Sequence, residues 1–203
     1  FYMFLGILFI LLSIGIFLVP TVPYIVYRIN PAETEKEIES LSQDIDNQEI
    51  NTAITNTISL PHIDPSLPTT AFVRIPKIGV NSPISDQQDY ITALKKGSWM
   101  VPEFGNPVNG KTPIILAAHR FGYRTWTKEF RNTVSYYNLP KTQNGDIIEI
   151  VWEQRLFRYE IYKGEENNYI TDYEADLILY TCKFFNTPVR IFRYARLIED
   201  TTP

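Results

Sequence analysis

The stretch Leu177-Ile178-Leu179-Tyr180-Thr181-Cys182, with the later stretch Arg190-Ile191-Phe192-Arg193-Tyr194-Ala195-Arg196-Leu197-Ile198, decides the fold. The first is continuously apolar up to Thr181, the pattern of a strand buried on both faces. The second, taken from Val189, predicts the last strand of the chain. Between them, Asn186-Thr187-Pro188 is a turn-forming group. If the two strands pair antiparallel, Cys182 ends one and Arg190 starts the other, at the same end of the sheet.

Short strands of the same kind continue outward. Pro113 to Ala118 is a second continuous apolar run. Phe72 to Ile75 alternates and stops at Pro76, and Val80 to Ile84 follows. Asn144-Gly145-Asp146 is a turn, after which Ile147 to Trp152 reads as a strand. Leu156 to Tyr162 alternates apolar and charged residues, giving one buried and one wet face. Only Thr127 to Asn132 and part of Asp89 to Lys96 suggest short helices. Many strands with few helices point to a mainly β barrel or sandwich. No internal repeat is present.

The N-terminal third has a different character. Residues Phe1 to Tyr27 carry no charge. As a helix they would reach roughly 40 Å, enough to cross a bilayer. The expectation is therefore a transmembrane anchor over 1–27, with the lipid bilayer as partner. Residues 28–70 are acidic at first and then rich in Asn, Thr and Pro, with too little apolar surface to fold alone. They read as a stalk. A domain of ordinary size remains over 71–203. The acidic segment after Arg28 does not resemble a cytoplasmic flank. The bulk of the chain is expected on the extracellular face of the membrane. A net charge of −4 argues against a nucleic-acid partner held by electrostatics.

Chemistry concentrates in three residues. Cys182 is the only cysteine of the 203 residues, so it has no internal disulfide partner. His119 directly follows an apolar strand, as Cys182 ends one and Arg190 starts one. The three could converge on one rim of a rigid scaffold. A thiol with a pKa near 8.5 is only weakly ionised at neutral pH. An imidazole can take its proton and later protonate an amine leaving group. A fixed guanidinium can stabilise the oxyanion of a tetrahedral intermediate. Taken singly, each of the three is more often a structural residue than a catalytic one. One Cys and two His, with His62 in the stalk, make a poor zinc set, and no metal or cofactor is expected. Arg193 has the opposite strand parity to Arg190, and Arg196 lies further along, so Arg190 is the candidate.

The ordered set Ile75-Pro76-Lys77-Ile78-Gly79-Val80, Lys96-Gly97, Ala118-His119-Arg120, Gly145-Asp146, Thr181-Cys182 and Arg190 resembles the sortase family in order and spacing. The resemblance covers about Ala71 to Ile198. It implies a sortase-type eight-stranded β-barrel with short helices, and a membrane-anchored cysteine transpeptidase. Such an enzyme cleaves a C-terminal sorting signal of surface-protein substrates and holds the acyl group as a thioester. It then passes that group to an amine acceptor on the cell envelope or a pilin. By the same resemblance Cys182 is the nucleophile, His119 the general acid/base and Arg190 the oxyanion or positioning residue. Two positions depart from the family pattern: Ile178 stands where a Thr is usual, and Ala118 where a Gly is usual. A thiol peptidase that hydrolyses such signals, and a catalytically silent membrane-tethered barrel, are the competing readings.

Three smaller features carry expectations. Asp64-Pro65-Ser66 lacks the aromatic residue of the lid found in pilus-building members. Glu165 and Glu166 read as solvated charge in a loop. Leu67-Pro68-Thr69-Thr70-Ala71 resembles a sorting signal and could act as a weak pseudosubstrate, though an extended linker is the simpler reading.

Overall fold

A computed structural model describes residues 60–185 and 187–198. The anchor over 1–27 and the stalk as far as residue 59 lie outside the described residues. Among the described residues no helix is long and apolar enough to cross a membrane.

Eight strands close into a barrel: β1 (Phe72–Ile75), β2 (Val80–Ser85), β3 (Ser98–Met100), β4 (Ile114–Ala117), β5 (Ile147–Trp152), β6 (Arg155–Asn167), β7 (Leu177–Cys182) and β8 (Arg190–Ile198). Around the barrel the order is β1-β2-β3-β4-β7-β8-β6-β5. The antiparallel pairing of β1 with β5, Phe72 opposite Val151 and Arg74 opposite Glu149, completes the closure. Two neighbouring pairs are parallel, β2 with β3 and β4 with β7. The barrel lies in one compact unit, and Phe184–Pro188 between β7 and β8 falls in another.

The expected strands form for the expected reasons. β4 is buried along its whole length. β7 is buried from Leu177 through Leu179, as its unbroken apolar run requires. In β6, Phe157, Tyr159 and Ile161 point into the core while Arg158 and Glu160 point out. Tyr90–Lys96 forms α1 and Lys128–Val134 forms α2. Asp89 caps α1 by accepting from the Thr92 N–H at 3.1 Å, and Thr127 caps α2 by accepting from Phe130 N–H at 3.1 Å. Gly97 ends α1 against the barrel wall, where a Cβ would meet the Pro83 carbonyl oxygen at 2.6 Å.

β6 runs further than its alternating stretch suggests. A register shift between Ile161 and Lys163 re-phases the strand against β8. Uninterrupted alternation would aim Lys163 and Glu165 into the core. After the shift they oppose Tyr194 and Phe192 on the outer face, and Gly164 opposes Arg193. Glu165 and Glu166 are therefore strand residues rather than loop residues. Glu165 accepts from the Tyr194 hydroxyl at 2.6 Å and from Thr171 Oγ1, and lies 3.2 Å from Lys163 Nζ. Glu166 pairs with Lys183 Nζ at 2.5 Å.

The segment before β1 is fastened to the β5–β6 turn. Asp64 N–H donates to the Gln154 carbonyl at 2.8 Å, Gln154 Nε2 donates to Leu67 O at 3.2 Å, and Arg155 Nε donates to Pro61 O at 3.1 Å. Glu153 and Gln154 form that turn with φ of 50° and 56°. The turn begins β6, whereas the other end of β6, Asn167, pairs with Arg190. Asp64-Pro65-Ser66 and Leu67-Pro68-Thr69-Thr70 thus sit at the barrel end away from Cys182. Asp64-Pro65-Ser66 is a strap at the barrel end away from Cys182. Within one chain, the signal-like segment is on the wrong side to visit Cys182.

Candidate active site

The strand ladder brings the three candidate residues to one rim. In the parallel pair, Ala117 is opposite Tyr180. One step on, Ala118 N–H donates to Tyr180 O at 3.3 Å, and Thr181 Oγ1 donates to Ala118 O at 2.8 Å. His119 follows Ala118 just past the end of β4, and Cys182 follows Thr181 as the last residue of β7. In the antiparallel pair, Cys182 is directly opposite Arg190. Such partners have Cα atoms about 4.5–5.5 Å apart and side chains on one face.

That face is the outer one. Leu177 and Leu179 belong to the core, so Ile178, Tyr180 and Cys182 point outward. Their partners Tyr194, Phe192 and Arg190 do the same. Arg190 is 2% exposed despite facing outward. Behind it the Tyr180 and Phe192 rings lie 5.8 Å apart, and Phe192 and Tyr194 stack at 6.1 Å. These rings form an apolar floor leading to the rim. Burial pushes the Tyr180 phenol up to about 12, with the nearby Arg190 charge opposing the shift. The segment between β6 and β7 lies over this floor, its Thr171 N–H donating to the Tyr194 hydroxyl at 3.1 Å.

His119 is held through its backbone. Its carbonyl accepts from Tyr136 N–H at 2.9 Å, and the Tyr136 ring is fully buried. The Tyr136 hydroxyl lies 3.0 Å from Ser98 Oγ, which in turn lies 3.0 Å from Ser82 Oγ. Ser82 Oγ donates to Val134 O at 2.8 Å, tying the end of α2 to the same chain of bonds. The imidazole stands edge-on to two rings, Tyr123 at 5.1 Å and Trp126 at 6.3 Å between centroids. Its Nε2 is 3.2 Å from the Tyr123 hydroxyl. Burial among these groups pushes the His119 pKa down to about 4.

Two neighbouring arginines serve differently from Arg190. The Arg120 guanidinium donates to the Lys183 carbonyl, spanning from the residue after His119 to the residue after Cys182. Burial lowers its pKa, while the charges of Tyr137, Glu166 and Cys182 pull the other way. Arg193 points inward, as its parity predicts. Its Nε donates to Thr142 Oγ1 at 2.7 Å and its Nη1 to Phe192 O at 2.8 Å. Its Nη2 lies 3.3 Å from the carbonyls of both Pro140 and Thr142. Arg196 sits over the Tyr162 ring at 5.0 Å.

Sequence reasoning missed Tyr123 and Trp126, and named Arg120 only as part of the family-like set, without a role. The nearest signal was Gly122 within a dense aromatic run, Phe121 to Trp126. Gly122 has φ +69° and meets the Trp126 ring so closely that a Cβ would lie 2.0 Å from it. The loop thus folds back onto itself and onto His119. Among the described residues no group of His, Cys, Asp and Glu could hold a metal ion.

Comparison with known proteins bears on the family and the fold. A family model described as "Sortase domain" matches residues 73–198. No curated protein matches the chain. Among solved structures, a Group B Streptococcus pilus island 1 sortase C2 is similar at 22% identity, with a TM-score of 0.54, covering 82% of this chain and 98% of that one. A Streptococcus agalactiae sortase C1 in complex with MTSET shares 19% identity at TM-score 0.52, covering 82% and 90%. A lid mutant of sortase A from Corynebacterium diphtheriae shares 19% at TM-score 0.50, covering 65% and 71%. At these identities the structural likeness is one of fold.

Proposed function

The chain belongs to the sortase family, and from that premise we propose that it is a cysteine transpeptidase acting on C-terminal sorting signals of the Leu-Pro-x-Thr-Gly type. The observation that carries the reading is the ladder itself: Cys182 lies opposite Arg190, and His119 follows just past the end of β4, whose last residue Ala117 pairs with Tyr180.

In this mechanism Cys182 Sγ gives up its proton to His119 and attacks the Thr carbonyl of the signal. Negative charge develops on that oxygen, where Arg190 supplies a fixed, always charged donor. The C–N bond breaks as His119 returns the proton to the departing Gly nitrogen, and a thioester remains on Cys182. An amine of the cell envelope or of a pilin then attacks the thioester, losing a proton to His119, and Cys182 leaves. Burial lowers the His119 pKa, which supports a neutral imidazole as the resting base. Residues 1–27 would anchor the enzyme in the membrane with the barrel on the extracellular face.

The test is ligation by the full chain in detergent micelles, using a fluorogenic Leu-Pro-x-Thr-Gly peptide library and an amine acceptor. Ligated product that disappears in Cys182→Ala supports the transpeptidase. Hydrolysis with no ligation at any acceptor would assign the thiol peptidase reading instead.

A further inference from the structure

We propose that Tyr123 is a positioning residue for His119, its hydroxyl fixing the imidazole tautomer that leaves Nδ1 free to exchange the proton with Cys182 and the leaving amine. The inference rests on the transpeptidase reading above and deepens it.

The Tyr123 hydroxyl lies 3.2 Å from His119 Nε2. The two rings stand nearly perpendicular, at 86°. That arrangement brings the phenol oxygen to the imidazole edge and leaves the imidazole face clear of it. With Nε2 so engaged, the other nitrogen remains for proton transfer. A base must carry a lone pair on its working nitrogen, so neutral His119 must hold its proton on Nε2. Nε2–H then donates to the Tyr123 oxygen. When Nδ1 takes the proton released as the Cys182 Sγ–carbon bond forms, both nitrogens carry hydrogen. Nε2–H keeps the same acceptor, and the bond becomes charge-assisted. When Nδ1 delivers that proton to the departing nitrogen, the original state returns. One tyrosine oxygen therefore accepts throughout the cycle without rotating. This is the logic of a nucleophile and a base with the base oriented by a third group.

The surroundings hold Tyr123 in place. Its ring packs against Trp126 at 5.5 Å, and Trp126 packs against Phe130 at 5.1 Å on α2. Thr127 caps α2 just beyond Trp126. Gly122 lets the loop turn tightly enough for Trp126 to reach back. The same rings flank His119, which keeps part of its surface exposed.

The experiment compares the full chain and Tyr123→Phe in detergent micelles, with Cys182→Ala as the reference for the underlying reaction. Histidine ¹⁵N labelling reports the tautomer; the chain has two His, and His62→Gln removes the other signal. Wild type should show Nε2–H as the dominant neutral form, and Tyr123→Phe a mixture. Ligation kcat should fall about tenfold with little change in KM, the scale of one hydrogen bond that strengthens in the transition state. A fall in kcat with an unchanged tautomer would overturn the proposal and leave Tyr123 a packing residue. So would unchanged kcat with a mixed tautomer. If Cys182→Ala itself ligates normally, the transpeptidase reading fails, and that result is separate from either outcome at Tyr123.

Discussion

Two arginines three positions apart on β8 show how strand parity divides labour. Arg190 shares the outer face with Cys182, while Arg193 points inward and donates to Thr142 and three backbone carbonyls. Arg190→Ala should lower ligation kcat by 100-fold or more, on the order of losing an oxyanion donor. Arg193→Met should leave activity per folded molecule unchanged. It should cost about 2–4 kcal/mol of stability, because buried carbonyls lose their donors. Denaturant titration beside single-turnover ligation separates the two effects; equal activity losses would refute the division. His119 makes a prediction about acid. Its pKa falls from 6.5 in the unfolded chain to about 4 when folded. Between those values the unfolded chain binds a proton that folded His119 refuses. Stability therefore drops as pH falls through that window and is insensitive to this group above it. Thermal melts at pH 7 and pH 4.5 should show a larger loss for wild type than for His119→Gln. An identical pH dependence in both would mean that His119 titrates normally. The parity of Arg193 was legible in the sequence, but its role was not. All its partners but the Phe192 carbonyl come from residues 140–142, some fifty positions away, and no local pattern announces such a bond. Tyr123 was hidden for a related reason, since only the loop's fold back onto His119 joins them.

At the scale of elements, legibility followed the strength of the local pattern. β4 and β7 were readable because each is an unbroken apolar run, and they prove to be adjacent and parallel. β3 escaped notice, being three residues long with a buried Ser98 whose hydroxyl is satisfied by Ser82 and Tyr136. The far half of β6 was missed because the shift at Ile161 and Lys163 breaks the alternation a reader follows. The loop from Arg120 to Trp126 carries the next prediction. Gly122→Ala places a side chain at φ +69° and against the Trp126 ring. The backbone cost alone is about 1–2 kcal/mol, and the ring must move as well. The variant should lose the indole's packing on Tyr123 and lower ligation activity, while the barrel core stays folded. Trp126 fluorescence should shift toward that of a solvated indole. A variant with unaltered emission and full activity would show that the close packing of Gly122 and Trp126 is not needed.

The whole barrel separates two jobs between its ends. At one end β7 stops, β8 starts and β4 runs out, which is where the candidate chemistry gathers. At the other, the chain enters β1 after its strap over the β5–β6 turn. The order of strands around the barrel decides this, and the sequence could only hint at it through the likeness to a family. The arrangement bears on Leu67-Pro68-Thr69-Thr70. That segment has the composition of a sorting signal, yet β6 alone, thirteen residues long, separates its end of the barrel from the rim. At about 3.3 Å per residue, that is on the order of 40 Å along the strand. A segment held there by Gln154 cannot occupy its own site while the strap is in place. Replacing Pro68 and Thr70 together by Ala should therefore leave kcat and KM unchanged at low enzyme concentration. With the strap closed, the segment can reach a site only in a neighbouring molecule. Such exchange would show as a gain in activity for the double variant that grows with enzyme concentration. A gain at every concentration, including the most dilute, would require the strap to open within one chain, against the hydrogen bonds that fasten it.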